Sequence, residues 1–193
     1  MLAVGVRMRG FRAVAGLVLL GVLVSGCADD VEPRALPSAS SQAASPPVSP
    51  SATTSTAREI AERDALASYR GLMQAWVDAA KVANPDHPAL RRYAQGEALK
   101  IFVTALFGNQ LHKKVVLGEM GTDPKVVGAV PIDGPTSVKI ADCLDDTRWL
   151  EHKKSGGLWD NKPGGRRHTT ALVTKTKAGW KVTDIVMQEY GSC

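Results

Sequence analysis

The spacing of apolar residues along this chain changes once, at Lys114, from a helical pattern to a strand pattern. This change constrains the fold more than any other feature. Between Ile60 and Leu111 the apolar side chains recur at helical spacing. After Lys114 they fall in short β-branched runs that are separated by turn residues. Val138, Ile140 and Leu144 alternate there with polar residues, as do Ala171 and Val173, so one face of the sheet is expected to be solvated. Helices that precede a series of strands are typical of α+β domains. The sequence therefore predicts N-terminal helices packed on a curved antiparallel sheet.

The boundaries of these elements follow from capping and turn residues. Thr56 and Glu59 form a capping-box pattern that begins the first helix, and Asp86 is expected to cap the second. On the third helix, Phe102, Phe107 and Leu111 are expected to face the core together with their apolar neighbours. The predicted elements are helices over about 57–82, 86–93 and 97–113, and strands over about 115–117, 125–130, 137–144, 169–176 and 179–189.

The first 26 residues have the layout of a secretory signal peptide. Three arginines without an acidic residue precede an apolar run over 13–24 that is too short to span a bilayer. Ser25 and Gly26 before Cys27 match the bacterial lipobox. We therefore expect cleavage after residue 26 and a diacylglyceryl group on Cys27, which would anchor the protein to the extracytoplasmic face of the cell membrane.

Residues 27–57 are expected to be a disordered stalk, because they are rich in Ser, Pro and Ala and contain few large apolar side chains. The folded domain is then 58–193. Removing the signal peptide removes three arginines and lowers the formal net charge from +5 to +2. A mature chain this close to neutral gives little support to a nucleic-acid-binding function.

Two cysteines remain once Cys27 is assigned to the lipid. Outside the cytoplasm, Cys143 and Cys193 are expected to form a disulfide, the alternative being two buried thiols. Neither cysteine has the neighbours that activate a catalytic thiol. The histidines are scattered and no cofactor motif is present, so the sequence predicts neither a metal site nor a cofactor.

Several local patterns resemble secreted lipoproteins of actinomycetes with the nuclear transport factor 2-like, or SnoaL-like, fold. The patterns are Tyr69-Arg70-Gly71 with Trp76, His87-Pro88-Ala89-Leu90 with Tyr93-Ala94, Asp142-Cys143-Leu144-Asp145, Gly179-Trp180-Lys181-Val182 and the terminal Cys193. This resemblance implies a cone-shaped domain of unassigned activity and a homodimer formed through the outer sheet face. The fold hosts both enzymes and binding domains, so it does not select a function.

The densest acidic cluster is Asp142, Asp145 and Asp146. An acid–base enzyme would need one such carboxylate in a desolvated cavity, where its pKa would rise. The alternatives are a capped turn, a surface ion pair with Arg148 and a loose cation site. Because Cys143 is expected to bond the C-terminus, we expect Asp142 and Asp145 near the edge of the sheet and solvated.

The segment 148–168 contains six Lys or Arg and two acidic residues, so its net charge is +4. The net charge of the whole domain 58–193 is also +4, so the rest of the domain is neutral. It is either a solvated hairpin or a site for anionic lipid or cell-wall polymer. Trp159, within it, either folds back or is exposed to a partner. The residues expected to contact an anionic surface are Lys153, Lys154, Lys162, Arg166 and Arg167.

Taken alone, the sequence favours a non-catalytic binding or interaction module at the cell envelope. One alternative is an acid–base enzyme, of isomerase or cyclase type, that acts on a small hydrophobic substrate. The other is an accessory subunit of an envelope complex.

Overall fold

The computed structural model describes residues 55–193, which form three helices followed by six strands. The elements are α1 (Ala57–Ala80), α2 (Pro88–Tyr93), α3 (Gly96–Leu111), β1 (Lys114–Gly118), β2 (Lys125–Val130), β3 (Ser137–Asp145), β4 (Trp149–Lys153), β5 (Arg166–Thr176) and β6 (Gly179–Met187). The helices pack against antiparallel strands, which confirms the predicted α+β class. The signal peptide, Cys27 and nearly all of the stalk lie outside the described residues.

Helix α1 begins at the predicted capping box. The Thr56 hydroxyl accepts from the backbone of Glu59, and the Glu59 carboxylate accepts from the backbone of Thr56 at 2.8 Å. Its inward face repeats at intervals of three and four residues and includes Tyr69, Leu72 and Trp76. Tyr69 reaches β3, where its hydroxyl donates to Asp142, and Trp76 packs on Trp149 of β4.

The larger sheet has four antiparallel strands in the order β2-β3-β5-β6. The predicted alternation holds, because Val138, Ile140 and Leu144 on β3 are fully buried, as is Val173 on β5. The strand β3 lies between β2 and β5, but β2 pairs with it only from Ser137 to Ala141, so Asp142 pairs with β5 alone. Asp142 is nevertheless only 4% exposed, which corrects the expectation that it is solvated.

The strands divide between two sheets instead of forming one. Strands β1 and β4 pair antiparallel as a separate two-stranded sheet, with Val116 opposite Glu151. Strand β4 was not among the predicted strands, and β5 begins three residues earlier than predicted. Both errors fall in the segment 148–168, where charged residues interrupt the apolar pattern.

Two details of the helices also differ from prediction. Helix α2 follows His87 without a side-chain cap, so Asp86 does not cap it. On α3, Phe102 and Leu106 are buried, but Phe107 and Leu111 are 58% and 68% exposed. The helix therefore packs through a narrower stripe than its composition suggests. No helix within residues 55–193 is long and apolar enough to cross a membrane.

The structure confirms the disulfide between Cys143 and Cys193, whose Cα atoms are 6.0 Å apart. It joins β3 to the end of the chain and closes a loop with a sequence separation of 50 residues. The unit Pro50–Cys193 is compact in itself and contains the whole buried core of the described residues. This unit can therefore be studied as a domain.

Candidate functional site

The carboxylate of Asp142 is buried against α1, with 4% of the residue exposed. It accepts hydrogen bonds from the Tyr69 hydroxyl at 2.9 Å and from the Asp123 backbone N–H at 2.8 Å. Burial, followed by the nearby charge of Asp142, raises the pKa of Tyr69 above its ordinary value. Each oxygen of Asp142 already has a donor, so this carboxylate stabilises the packing of α1 on the sheet.

Asp145 lies at the end of β3 and closes the following turn. Its carboxylate accepts from the hydroxyl of Thr147 at 2.6 Å and from the backbone of the same residue. These hydrogen bonds hold the pKa of Asp145 below its ordinary value. This geometry is the capped turn that the sequence analysis offered as one alternative.

The third carboxylate of the cluster, Asp146, is 2% exposed and joins three segments of the chain. It accepts from Arg167 Nη2 at 2.9 Å, from the Tyr190 hydroxyl at 3.2 Å and from the Gly165 backbone at 2.6 Å. Gly164 is required beside it, since a Cβ there would lie 2.2 Å from the Asp146 carbonyl oxygen. We call the segment 154–165 between β4 and β5 the insert. Asp146 thus holds the insert, β5 and the C-terminal segment together.

Two adjoining cavities lie beside this network, and we call them together the Trp149 groove. The inner cavity, of about 190 Å³, lies between α1, α3, β1, β4, β5 and the C-terminal segment. The outer cavity, of about 210 Å³, extends beneath the insert and includes Asp160 and Lys162. Both share walls formed by Trp149, Glu151 and Tyr190.

Two polar groups enclosed behind the walls of the Trp149 groove have no hydrogen-bond partner within residues 55–193. They are Trp149 Nε1 and Arg167 Nε, which are both buried. The Trp149 ring is held in place by edge-to-face packing on Trp76, with ring centroids 4.7 Å apart. Burial raises the pKa of the Tyr190 hydroxyl. Buried donors without partners are uncommon and need a physical explanation.

A second surface lies at the turn that follows β4. Lys153, Lys154, Gly156 and Gly157 form this hairpin tip, and positive φ angles of 107° and 77° at the two glycines allow its tight reversal. The insert then returns along β4, where Leu158 forms a bridge to His152. Among residues 55–193, no carboxylate lies within ion-pair distance of either tip lysine.

The structure divides the five cations that the sequence grouped into one surface. Lys153 and Lys154 lie at the hairpin tip, whereas Lys162 and Arg166 are exposed near the opposite end of β4. The structure corrects the prediction that Arg167 contacts an anionic surface. Its side chain is 17% exposed and is paired with Asp146, so it is not an available surface cation. Lys153 and Lys154 therefore form the coherent part of the predicted site.

An apolar cavity of about 450 Å³ separates the hairpin tip from the end of α1. Val82 and Leu117 line it and remain 58% and 40% exposed. Lys81, at the rim, is paired with Asp78 at 2.8 Å. The tip thus combines free cations with exposed aliphatic side chains, as surfaces that contact lipid interfaces do.

Trp159, the aromatic residue of the insert, is partly folded back onto the domain and partly exposed, so it combines the two predicted alternatives. Its ring lies 5.3 Å from Lys114 Nζ, yet the residue remains 40% exposed. Lys114 also pairs with Glu151 at 2.7 Å, so Trp159 covers this ion pair. No group of three or more metal-ligating side chains occurs within residues 55–193.

The fold and sites together define a disulfide-bonded α+β domain with one polar groove and one cationic, partly apolar tip. No protein-family model and no curated protein matches the chain. One similar solved structure is the intermembrane space region of chloroplast protein ARC6, with a TM-score of 0.39 and 18% identity over 65% of this chain and 95% of that one.

A second is a domain of unknown function with a cystatin-like fold from Nostoc punctiforme. Its TM-score is 0.36, and its identity is 13% over 70% of this chain and 78% of that one. Scores this low carry no argument about function. The function is therefore argued from the site alone.

Proposed function

We propose that this protein is a lipid-anchored, non-catalytic binding module at the extracytoplasmic face of the cell membrane, and that its hairpin tip contacts an anionic envelope surface. The single observation that carries the proposal is that Lys153 and Lys154 have no ion-pair partner among residues 55–193 and lie beside exposed Val82 and Leu117. Near an anionic membrane each such cation contributes about 1 kcal/mol of attraction.

The charge pattern elsewhere in the domain supports this assignment. Lys114 and Arg167, which flank the Trp149 groove, are each paired with a carboxylate at less than 3 Å. These cations interact with carboxylates of the protein, whereas the tip lysines have no carboxylate partner in the part of the chain that the structure describes. An anionic lipid headgroup supplies the missing charge, and Val82 and Leu117 can contact the acyl region below it.

The expected anchor is compatible with this contact. Helix α1 is about 36 Å long, so the hairpin tip beside its C-terminal end is remote from the stalk that enters at its N-terminal end. The 27 residues between Cys27 and Ser55 would reach about 30 Å on average as a flexible coil, and about 90 Å fully extended. The domain can therefore turn its tip toward the membrane that holds it.

Two of the three carboxylates in the acidic cluster, Asp142 and Asp145, do not fit the enzyme alternative, and the third, Asp146, already accepts three hydrogen bonds within the protein. Asp142 is enclosed by Tyr69 and the Asp123 backbone, and Asp145 belongs to a solvent-exposed turn. General acid–base catalysis requires a group within hydrogen-bond reach of a bound substrate. Neither residue lines the Trp149 groove.

The test is co-sedimentation of the unit Pro50–Cys193 with phosphatidylglycerol vesicles, phosphatidylcholine vesicles and isolated cell wall. We expect binding to the anionic vesicles at low salt and its loss at about 1 M salt, where the Debye length is ~3 Å. The double variant Lys153→Glu/Lys154→Glu should bind at least about tenfold more weakly, since two attractive charges become repulsive.

The matched control is Lys175→Glu/Lys177→Glu, which makes the same charge change at the exposed turn between β5 and β6. It should retain most of the binding. Equal loss in both variants would show that net charge alone is responsible and would contradict the tip. Detergent-phase partitioning of the full chain and its Cys27→Ala variant tests the anchor, and identical partitioning of the two would exclude it.

A further inference from the structure

The outward face of α3 carries two large apolar side chains that the rest of the described domain leaves exposed. Phe107 and Leu111 are 58% and 68% exposed, whereas Phe102 and Leu106, toward the core, are fully buried. Because Phe107 and Leu111 are one helical turn apart, they lie on the same side of the helix, about 6 Å apart along its axis. A Cβ added at Gly108 would have no atom within 4 Å. The last turn of α3 is therefore an open apolar surface within residues 55–193.

This surface adjoins the hairpin tip. The Lys154 backbone N–H donates to the carbonyl oxygen of Lys113 at 2.8 Å, and Lys113 is only two residues beyond Leu111. On another side of the tip, Val82 and Leu117 line the apolar cavity and are 58% and 40% exposed. One end of the domain thus brings together exposed apolar side chains from three segments of the chain.

The charge at this end of the domain is positive. The sequence has no Asp or Glu over 98–118 and none over 152–159. Lys113, like Lys153 and Lys154, is exposed and has no carboxylate within ion-pair distance among residues 55–193. Apolar side chains bordered by cations are typical of protein surfaces that enter the headgroup region of anionic membranes.

A second exposed apolar pair shows why exposure alone does not select this end. Val130 and Ile132, where β2 leads toward β3, are 67% and 69% exposed. Asp133 follows them directly, and Lys125 at the start of β2 is paired with Asp123. An anionic surface would meet the Asp133 carboxylate there, whereas at the tip it meets three lysines. Charge therefore distinguishes two surfaces of similar hydrophobicity.

The shape of the α3 surface favours a fluid partner. Phe107 and Leu111 project from a convex helix, and lipid can enclose projecting side chains without a matching groove. We infer that the last turn of α3 enters an anionic membrane together with the hairpin tip. Phe107 and Leu111 then reach the boundary of the acyl chains, while Lys113, Lys153 and Lys154 stay among the headgroups. This inference rests on the proposed function and adds a part of the chain that the tip alone does not include.

The first experiment places a fluorescent reporter at Leu111. In the unit Pro50–Cys193, Cys143 and Cys193 are bonded to each other, so Leu111→Cys supplies the single free thiol for the environment-sensitive dye NBD. With phosphatidylglycerol vesicles at low salt, its emission should shift to the blue, and spin labels on the acyl chains should quench it. Ile132→Cys, which is equally exposed, is the matched control, and its dye should keep the emission it has in water.

The second experiment measures how much the α3 surface contributes to binding. Phe107→Ser/Leu111→Ser should bind phosphatidylglycerol vesicles at least about tenfold more weakly, because two apolar side chains no longer leave water. Its midpoint of thermal unfolding should stay close to that of the wild type, since both side chains are exposed. Val130→Ser/Ile132→Ser removes an equally exposed apolar pair and should bind as the wild type does.

Equal binding of the wild type and Phe107→Ser/Leu111→Ser, or a dye at position 111 that remains in water, would overturn the inference. The proposed function would stand in that case, provided that Lys153→Glu/Lys154→Glu still loses binding. Absence of wild-type binding at low salt would overturn both. A dimer that forms without vesicles and is dissociated by Phe107→Ser/Leu111→Ser would assign the α3 surface to a second copy of the chain and would also overturn the inference.

Discussion

Asp142 and Asp146 are almost equally buried, at 4% and 2% exposed, but they lie in two regions of different character. Around Asp142, the four-stranded sheet meets α1, and each carboxylate oxygen accepts a hydrogen bond within a packed apolar core. Around Asp146, the two-stranded sheet and the insert leave a groove with buried donors that have no partner within the described chain.

This difference shows that burial of a charged group does not by itself mark a functional site. Both carboxylates are paired with a tyrosine, Tyr69 in the core and Tyr190 in the groove. The core pair is closed on all sides, so its hydrogen bonds contribute to folding. The groove pair borders open space, so water can reach it from the side of the exposed Tyr190.

The largest effect is expected from the disulfide, which connects the two regions. Replacing Cys143 and Cys193 by serine should lower the free energy of unfolding by about 4 kcal/mol, because a closed loop of 50 residues no longer restricts the unfolded chain. Guanidinium unfolding of the oxidised wild type and the double variant measures the change. The loss should also release the C-terminal segment, so the hydrogen bond from Tyr190 to Asp146 should weaken.

The single variant Cys143→Ser serves as the control for this experiment. It should lose nearly as much stability as the double variant, because either substitution removes the same covalent bond. A loss below about 1 kcal/mol in both would contradict the assignment of most of this stability to the bridge.

The next effect tests the core region. Tyr69→Phe should lower the free energy of unfolding by about 1–3 kcal/mol at pH 7, because Asp142 loses one of its two donors while remaining buried. Urea unfolding curves of wild type and variant provide the measurement. A loss within experimental error would mean that water replaces the hydroxyl and that the core around Asp142 is open.

The same tyrosine predicts a pH dependence. The folded state raises the pKa of Tyr69, chiefly through burial, so the folded protein retains a proton that the unfolded chain releases above about pH 10. The wild type should therefore lose stability as the pH rises above about 10, and it should have the full contribution below that value. Tyr69→Phe should show a shallower alkaline decline in denaturant midpoint.

Alternation along the strands predicts the core region well. Val138, Ile140 and Leu144 were expected on one face of β3, and the structure places them there. The same alternation puts Asp142 on the inner face, whereas the expectation of a solvated Asp142 was drawn from its neighbour Cys143. The disulfide is present, but Cys143 and Asp142 lie on opposite faces of β3, so Asp142 is buried against α1.

The groove could be predicted only in part. Extending the pattern of Ala171 and Val173 backward places Arg167 on the inner face of β5, which would have separated it from the surface cations. Asn109 and Tyr190 carry no such signal, because they come from the end of a helix and from an irregular terminal segment. Their meeting at Trp149 depends on tertiary packing that local patterns do not encode.

The smallest effect, and the sharpest contrast with Tyr69, is expected at Tyr190. Tyr190→Phe also removes a hydroxyl that donates to a buried carboxylate, here at 3.2 Å. Asp146 keeps Arg167 and the Gly165 backbone as donors, and water can enter the groove to replace the hydroxyl. The free energy of unfolding should therefore fall by no more than about 0.5–1 kcal/mol in the same urea experiment. If Tyr190→Phe costs as much as Tyr69→Phe, the two regions are equally closed and the contrast between core and groove is wrong.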